Sequence, residues 1–213
     1  MNLGKKRSDV AVSPSSWQEA LILVAVVVAL TPLFSLACQP QDKAAPSAGY
    51  SIEEAAKVLR AIDRIEAESP QPWSGPLREV LISEGELNSY IAHRIVSERE
   101  EIMKALRLKL FPDNKIEGQI HIDLRGQKAP SYIRPEMDIF FAADLIVANR
   151  AVKVDMKKLF VGKEPISPYI LDVLIAISAA LQKTEATSLN DWYELPYGIK
   201  DVKTHKGKAV FYY

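Results

Sequence analysis

The chain has 213 residues, with 27 lysines and arginines against 27 aspartates and glutamates, so its formal net charge is zero. Hydrophobic residues make up 48% and charged residues 25%, a globular composition that excludes a wholly disordered or collagen-like polypeptide. Balanced charge argues against a nucleic-acid partner, and the single cysteine, Cys38, leaves no intramolecular disulfide and no cysteine zinc cage.

The first strong signal is N-terminal. Residues 1–19 carry Lys5, Lys6 and Arg7, partly offset by Asp9 and Glu19, and read as a cytoplasmic n-region. Residues 20–38 form the apolar segment; no charge occurs between Ala20 and Gln41. A basic stretch, an apolar stretch and then small residues is the layout of a signal sequence or an N-terminal membrane-anchor helix. Its apolar part, about 17–18 residues, is at the lower edge of what spans a bilayer. The positive-inside rule keeps the basic residues in the cytoplasm and sends the remainder to the extracytoplasmic, periplasmic side. Ser35-Leu36-Ala37-Cys38 resembles a bacterial lipobox, which makes Cys38 a candidate lipidation site. A processed lipoprotein and a retained transmembrane helix both stay open, and both tether the body to a membrane.

Residues 39–50 are rich in Pro, Ala, Ser and Gln and read as a flexible linker. The body, 51–213, then opens with Ser51 and Glu54 at capping-box spacing. Ile52, Ala55, Val58, Leu59, Ile62 and Ile65 recur at helical intervals, and the helix is expected to stop before Pro70. A short strand is expected at 79–82. Ser83 and Glu86 form a second capping box, starting a helix with Leu87, Tyr90, Ile91 and Ile95 on one side.

The period then changes from helical to two. Leu106, Leu108 and Leu110 alternate with basic residues, Asp113-Asn114 supplies turn chemistry, and Ile116, Ile120, Ile122 and Leu124 alternate with polar residues. A polar loop follows. Met137, Ile139, Phe141, Ala143, Leu145 and Val147 predict a long strand that turns at Asn149-Arg150 into Val152, Val154 and Met156. Ser167-Pro168 opens a helix from Tyr169 to Leu181 whose only charge is Asp172; such a helix needs enclosure by protein or lipid. A hairpin around Lys206-Gly207 closes the chain. The order predicts an α+β domain, a curved antiparallel sheet packed around an apolar helix.

Signals for chemistry are sparse. The three histidines, His93, His121 and His205, lack metal-ligand spacing. His121 and Asp123 share the polar face of a strand, which reads as a solvated face. There is no Gly-rich phosphate loop, Gly-x-Ser-x-Gly elbow or Ser-x-x-Lys pair. Asp113 to Gly118 loosely follows a calcium loop, but Lys115 stands where a ligand belongs. Glu84 and Glu86 sit where acidic residues suit a helix N-terminus. The expectation is a non-catalytic protein with no cofactor and no metal. Trp192, Tyr193 and Tyr197, and Phe211, Tyr212 and Tyr213, read first as core and rim packing, with a pocket lining or a membrane-surface contact as the alternatives.

Three pieces together resemble a known group: Ile82-Ser83-Glu84-Gly85-Glu86-Leu87-Asn88-Ser89-Tyr90, the nearly uncharged helix between Pro165 and Leu181, and Leu195-Pro196-Tyr197-Gly198-Ile199-Lys200-Asp201-Val202. The set, over roughly residues 78–213, is similar to membrane-anchored bacterial envelope proteins of the tubular lipid-binding (TULIP-like) group, including YpmS-like and YceB-like proteins. The resemblance implies a strongly curved antiparallel sheet around a helix, enclosing an apolar groove for a lipid-like ligand, and no catalytic residues. Ile139, Phe141, Leu145, Ile170, Leu174, Ile177 and Leu181 are the expected lining. The second expectation is an anchored adaptor with a solid core that meets an envelope protein partner through a surface around Trp192 and Tyr197.

Overall fold

The computed structural model describes residues 50–68, 76–98, 100–182, 186–196 and 198–213. The n-region, the apolar segment with Cys38, and all of the linker but Tyr50 lie outside the described residues. Among the described residues no helix is long and apolar enough to cross a membrane.

Helix α1 (Ile52–Glu68) is followed by strand β1 (Glu79–Ser83) and helix α2 (Glu84–Ser97). Four long or medium strands come next: β2 (Met103–Phe111), β3 (Lys115–Asp123), β4 (Glu136–Ala148) and β5 (Ala151–Val161). The two-residue β6 (Glu164–Pro165) precedes helix α3 (Tyr169–Gln182), and the chain ends with β7 (Tyr193–Glu194), β8 (Asp201–His205) and β9 (Lys208–Tyr212). The result is an α+β fold whose antiparallel sheet curls into a half-barrel.

Strands β2 to β5 pair in sequence order, as the alternation and turn residues require. Both tight turns use left-handed backbone: Asp113 and Asn114 have φ of 62° and 58°, Asn149 and Arg150 of 52° and 61°. Between β4 and β5 that geometry matches the twist of a two-residue hairpin, whereas the β2–β3 loop spans three residues, 112–114. Strand β5 runs five residues beyond the expected Met156, because the pairing of β4 with β5 shifts between Ala142 and Ala143 and leaves Lys157 as an extra residue. The inward set therefore jumps from Val152 and Val154 to Leu159, and the period-two signal ends early. Strands β6 and β7 pair with the two ends of β5. Between them lie Lys153, Lys157 and Lys158, charges that discourage pairing with another chain at a sheet edge.

A second, three-stranded sheet has the order β1-β9-β8, so the first strand of the body pairs with the last. Arg78 and Tyr213 exchange both backbone hydrogen bonds, at 2.9 and 3.0 Å. Asn114 and the last hairpin join the sheets. The Asn114 carboxamide oxygen accepts from the Thr204 amide at 2.8 Å, the Thr204 hydroxyl donates to the Phe111 carbonyl at 2.6 Å, and the Gly207 amide donates to the Leu110 carbonyl at 3.0 Å.

One core runs through both sheets and all three helices. Val58, Ile62 and Ile65 of α1, Leu87, Tyr90 and Ile91 of α2, Ile116, Ile122 and Ile139 of the sheet, and Leu174 and Ile175 of α3 are all buried in it. Gly118 occupies an inward position of β3 because Phe141 lies across it. A Cβ there would sit 2.3 Å from the ring. The ring fills the space a side chain leaves vacant, so the strand tolerates its glycine.

The capping boxes fare differently. At Ser83 both halves form: its hydroxyl accepts from the Glu86 amide at 3.3 Å and its amide donates to the Glu86 carboxylate at 2.9 Å. Burial opposes ionisation of Glu86, yet the Ser83 amide, the Ser83 hydroxyl and Lys57 outweigh it, and its carboxyl lies below the usual value. At Ser51 only the first half forms, with Glu54 N–H donating to the hydroxyl at 3.3 Å. The Glu54 carboxylate instead accepts from the Ser89 hydroxyl at 2.7 Å, and Ser89 in turn accepts from the Ser51 amide at 3.2 Å. Contact with α2 diverts the box into an interhelical seam.

Candidate functional site

A concavity lies along the outward side of α3, opposite the loop between β3 and β4. It has a volume of about 820 Å³ and is lined by Gly126, Gln127, Lys128 and Tyr132 of the loop, and by Tyr169, Asp172, Val173, Ala176, Ile177, Ala180 and Leu181 of the helix. That volume lies within the range of about 300–1,000 Å³ typical of small-molecule sites.

The helix explains the groove. Its 14 residues are apolar on every side apart from Asp172 and the short polar residues. Leu171, Leu174, Ile175 and Ala179 face the core and are buried. The same helix has no polar face to offer water, so the opposite side presents Tyr169, Val173, Ala176, Ile177, Ala180 and Leu181 to the groove. Tyr132 and Tyr169 are each 64% exposed and Leu181 is 40% exposed. These three stand on one groove, so their exposure marks a patch rather than scattered surface residues.

The seven expected lining residues divide between two places. Ile177 and Leu181 line the groove, and Ile177 also packs partly buried against the core. Ile139, Phe141, Leu145 and Leu174 are buried in the common core, and Ile170 packs partly buried against it. The expected space between α3 and the inner sheet face is thus filled, at these positions, by side chains in one contiguous cluster. A helix apolar all round gives no sequence cue to which side stays open, and the polar loop that forms the second wall carried no signal beyond composition.

The polar groups of the groove differ in their engagement. Asp172 accepts from the Ser188 hydroxyl at 3.1 Å and the Leu189 amide at 3.0 Å, fastening residues 188–189 to the helix. Tyr193 completes this fastening by donating to the Ser188 carbonyl at 2.7 Å; burial pushes its phenol above the usual value. Lys128 is exposed on the rim, and among the described residues no carboxylate pairs with it.

Other clusters are internally satisfied. His121 Nδ1 lies 3.1 Å from Asp138 and Nε2 lies 3.5 Å from Glu136, across the solvent face of β3 and β4. Arg125 takes Asp123 in a paired hydrogen bond and also reaches Glu136; the Arg125 bonds hold the Asp123 carboxyl well below its usual range. Among the described residues no group of three or more His, Cys, Asp or Glu is arranged to hold a metal ion. Glu84 accepts from the Leu110 amide at 2.7 Å, so the first-turn carboxylates of α2 both serve the fold. Trp192 is half exposed, Tyr193 is buried, and Tyr197 lies outside the described residues.

No family model matches the chain, and no curated protein matches it either.

Proposed function

We infer that this protein is a membrane-tethered extracytoplasmic domain, related to the tubular lipid-binding group, that holds a lipid-like ligand without transforming it. The sheet curls around the core side of α3, while the apolar segment 20–38 supplies the anchor, either as a retained helix or through acylated Cys38. The observation that carries the reading is the 14-residue α3, which leaves a second apolar side in a groove of about 820 Å³ after filling its place in the core. The groove follows the helix over 12 rises, about 18 Å at 1.5 Å each. A long apolar channel with a few polar groups on its rim suits a hydrocarbon chain with a polar head.

The test is to purify the full-length protein from a membrane-bearing host and analyse organic extracts by mass spectrometry. Near-stoichiometric lipid is expected, and Ala176→Gln, which puts an amide on the groove floor, is expected to lose most of it. Ligand-free protein, or equal lipid on both forms, overturns the reading. The adaptor reading draws on a different observation, the half-exposed Trp192. It predicts instead a ligand-free protein that retains an envelope partner, and loses that partner on Trp192→Ala.

A further inference from the structure

We propose that the rim of the α3 groove docks on the surface of the bilayer that holds the tether, with Tyr132 and Tyr169 at the headgroup level and Lys128 against lipid phosphate. This rests on the tethered reading above and adds an orientation to it. Three observations support a bilayer as the occupant. The exposed side of α3 is apolar and is flanked by two tyrosines that are each 64% exposed. Amphipathic aromatic side chains favour the membrane–water interface, where ring and hydroxyl meet different solvents. Lys128, without a carboxylate partner among the described residues, offers a cation to anionic headgroups beside that apolar strip.

Chain length supplies the third observation. Only 11 residues separate Cys38 from Tyr50. Fully extended they reach at most about 40 Å. A body of this length has a radius of gyration of about 15 Å and a diameter of about 40 Å, so the leash is no longer than the body is wide and holds it beside the lipid. At that effective concentration even a weak interfacial contact is populated. A groove pressed on the bilayer also opens its apolar floor toward acyl chains rather than water.

The experiment uses the full-length protein, with Cys38 intact, in vesicles of phosphatidylethanolamine and phosphatidylglycerol. A coumarin-bearing amino acid replaces Tyr132, Tyr169 or, as a control on the solvent face of β3, Glu117. Brominated acyl chains are expected to quench the two rim probes roughly twofold or more, because a docked face enters about 5–10 Å into the headgroup–acyl boundary. The Glu117 probe is expected to stay unquenched. Lys128→Glu is expected to weaken rim quenching in phosphatidylglycerol vesicles but not in neutral phosphatidylcholine. Equal quenching at all three positions, or none at the rim, overturns docking. Quenching that survives transfer of the loaded protein into unbrominated vesicles reports a carried ligand; it overturns docking and spares lipid binding. Rim probes that respond to protein density rather than bromination indicate a second copy and also overturn it. A wild-type chain stripped from membranes by carbonate removes the tether and docking together.

Discussion

Helices α2 and α3 each have 14 residues, and this protein treats them in opposite ways. Helix α2 spends its polar side chains on backbone and neighbours. Asn88 donates to the Leu108 carbonyl at 2.8 Å and accepts from the Leu108 amide at 2.7 Å, pairing with the free edge of β2 as a strand would. Glu84 takes the Leu110 amide two residues on, so a helix closes an edge that would otherwise template aggregation. Helix α3 carries one charge, Asp172, and that carboxylate holds residues 188–189. The contrast separates a helix whose polar side chains bind its own chain from one whose outward side stays apolar and exposed.

The largest way to break the comparison is to remove the edge pairing. Asn88→Ala strips the side-chain partners from the Leu108 N–H and the Leu108 C=O at once. Each backbone group left unpaired costs about 1–3 kcal/mol, and water reaches these half-buried groups in part, so the loss expected from urea denaturation is at the low end of the sum, about 2–3 kcal/mol. The exposed β2 edge should also raise the tendency to aggregate, measurable by light scattering. A loss below about 0.5 kcal/mol would show that water serves Leu108 as well as Asn88 does.

The same residues show what the sequence made legible. The Ser-x-x-Glu-Leu-Asn stretch is recognisable as a helix start, but nothing local says that Asn88 reaches a strand 20 residues later. The β2–β3 hairpin was legible because Leu106, Leu108 and Leu110 carry the period while Asp113-Asn114 carry the turn. The pairing of β1 with β9 was not, because it joins residues more than a hundred positions apart and neither strand records its partner. The end of β5 was hidden by the extra residue Lys157, which breaks the alternation. As for the site, α3 stands out as an oddly uncharged helix, whereas its open side depends on which of its residues enter the common core.

A smaller effect of opposite sign sharpens the comparison. Both helices bury one serine almost completely, Ser89 in α2 and Ser178 in α3. Ser89 bridges Ser51 and Glu54, whereas the Ser178 hydroxyl has no hydrogen-bond partner among the described residues. Ser89→Ala is expected to cost about 1–2 kcal/mol, since it leaves a carboxylate and an amide short of a partner. Ser178→Ala is expected to raise stability by about 0.5–1 kcal/mol, because the methyl group suits a site where the hydroxyl is only desolvated. Calorimetric midpoints of the two variants should therefore move in opposite directions. Equal losses would mean that Ser178 has found a partner, and with it that α3 is held from the core side by more than apolar contact.

The smallest stability effect is expected where the functional effect is largest. Ala176 and Ala180 of α3 face the groove and are exposed, so Ala176→Gln or Ala180→Gln removes no core contact and leaves every hydrogen bond in place. Glutamine is also nearly as good a helix former as alanine, and such surface changes usually stay within about 0.5 kcal/mol. Were this side of α3 simply surface, nothing else would change either. If instead it is the unfinished side of the helix, each variant keeps its melting midpoint while losing lipid in the extraction assay. A fall in stability of 2 kcal/mol or more, beyond the surface range, would place the alanines inside a packed interface of this chain and make α3 a completed helix like α2. The comparison turns on that one separation, because only a surface kept for a partner can lose its occupant without loosening the fold.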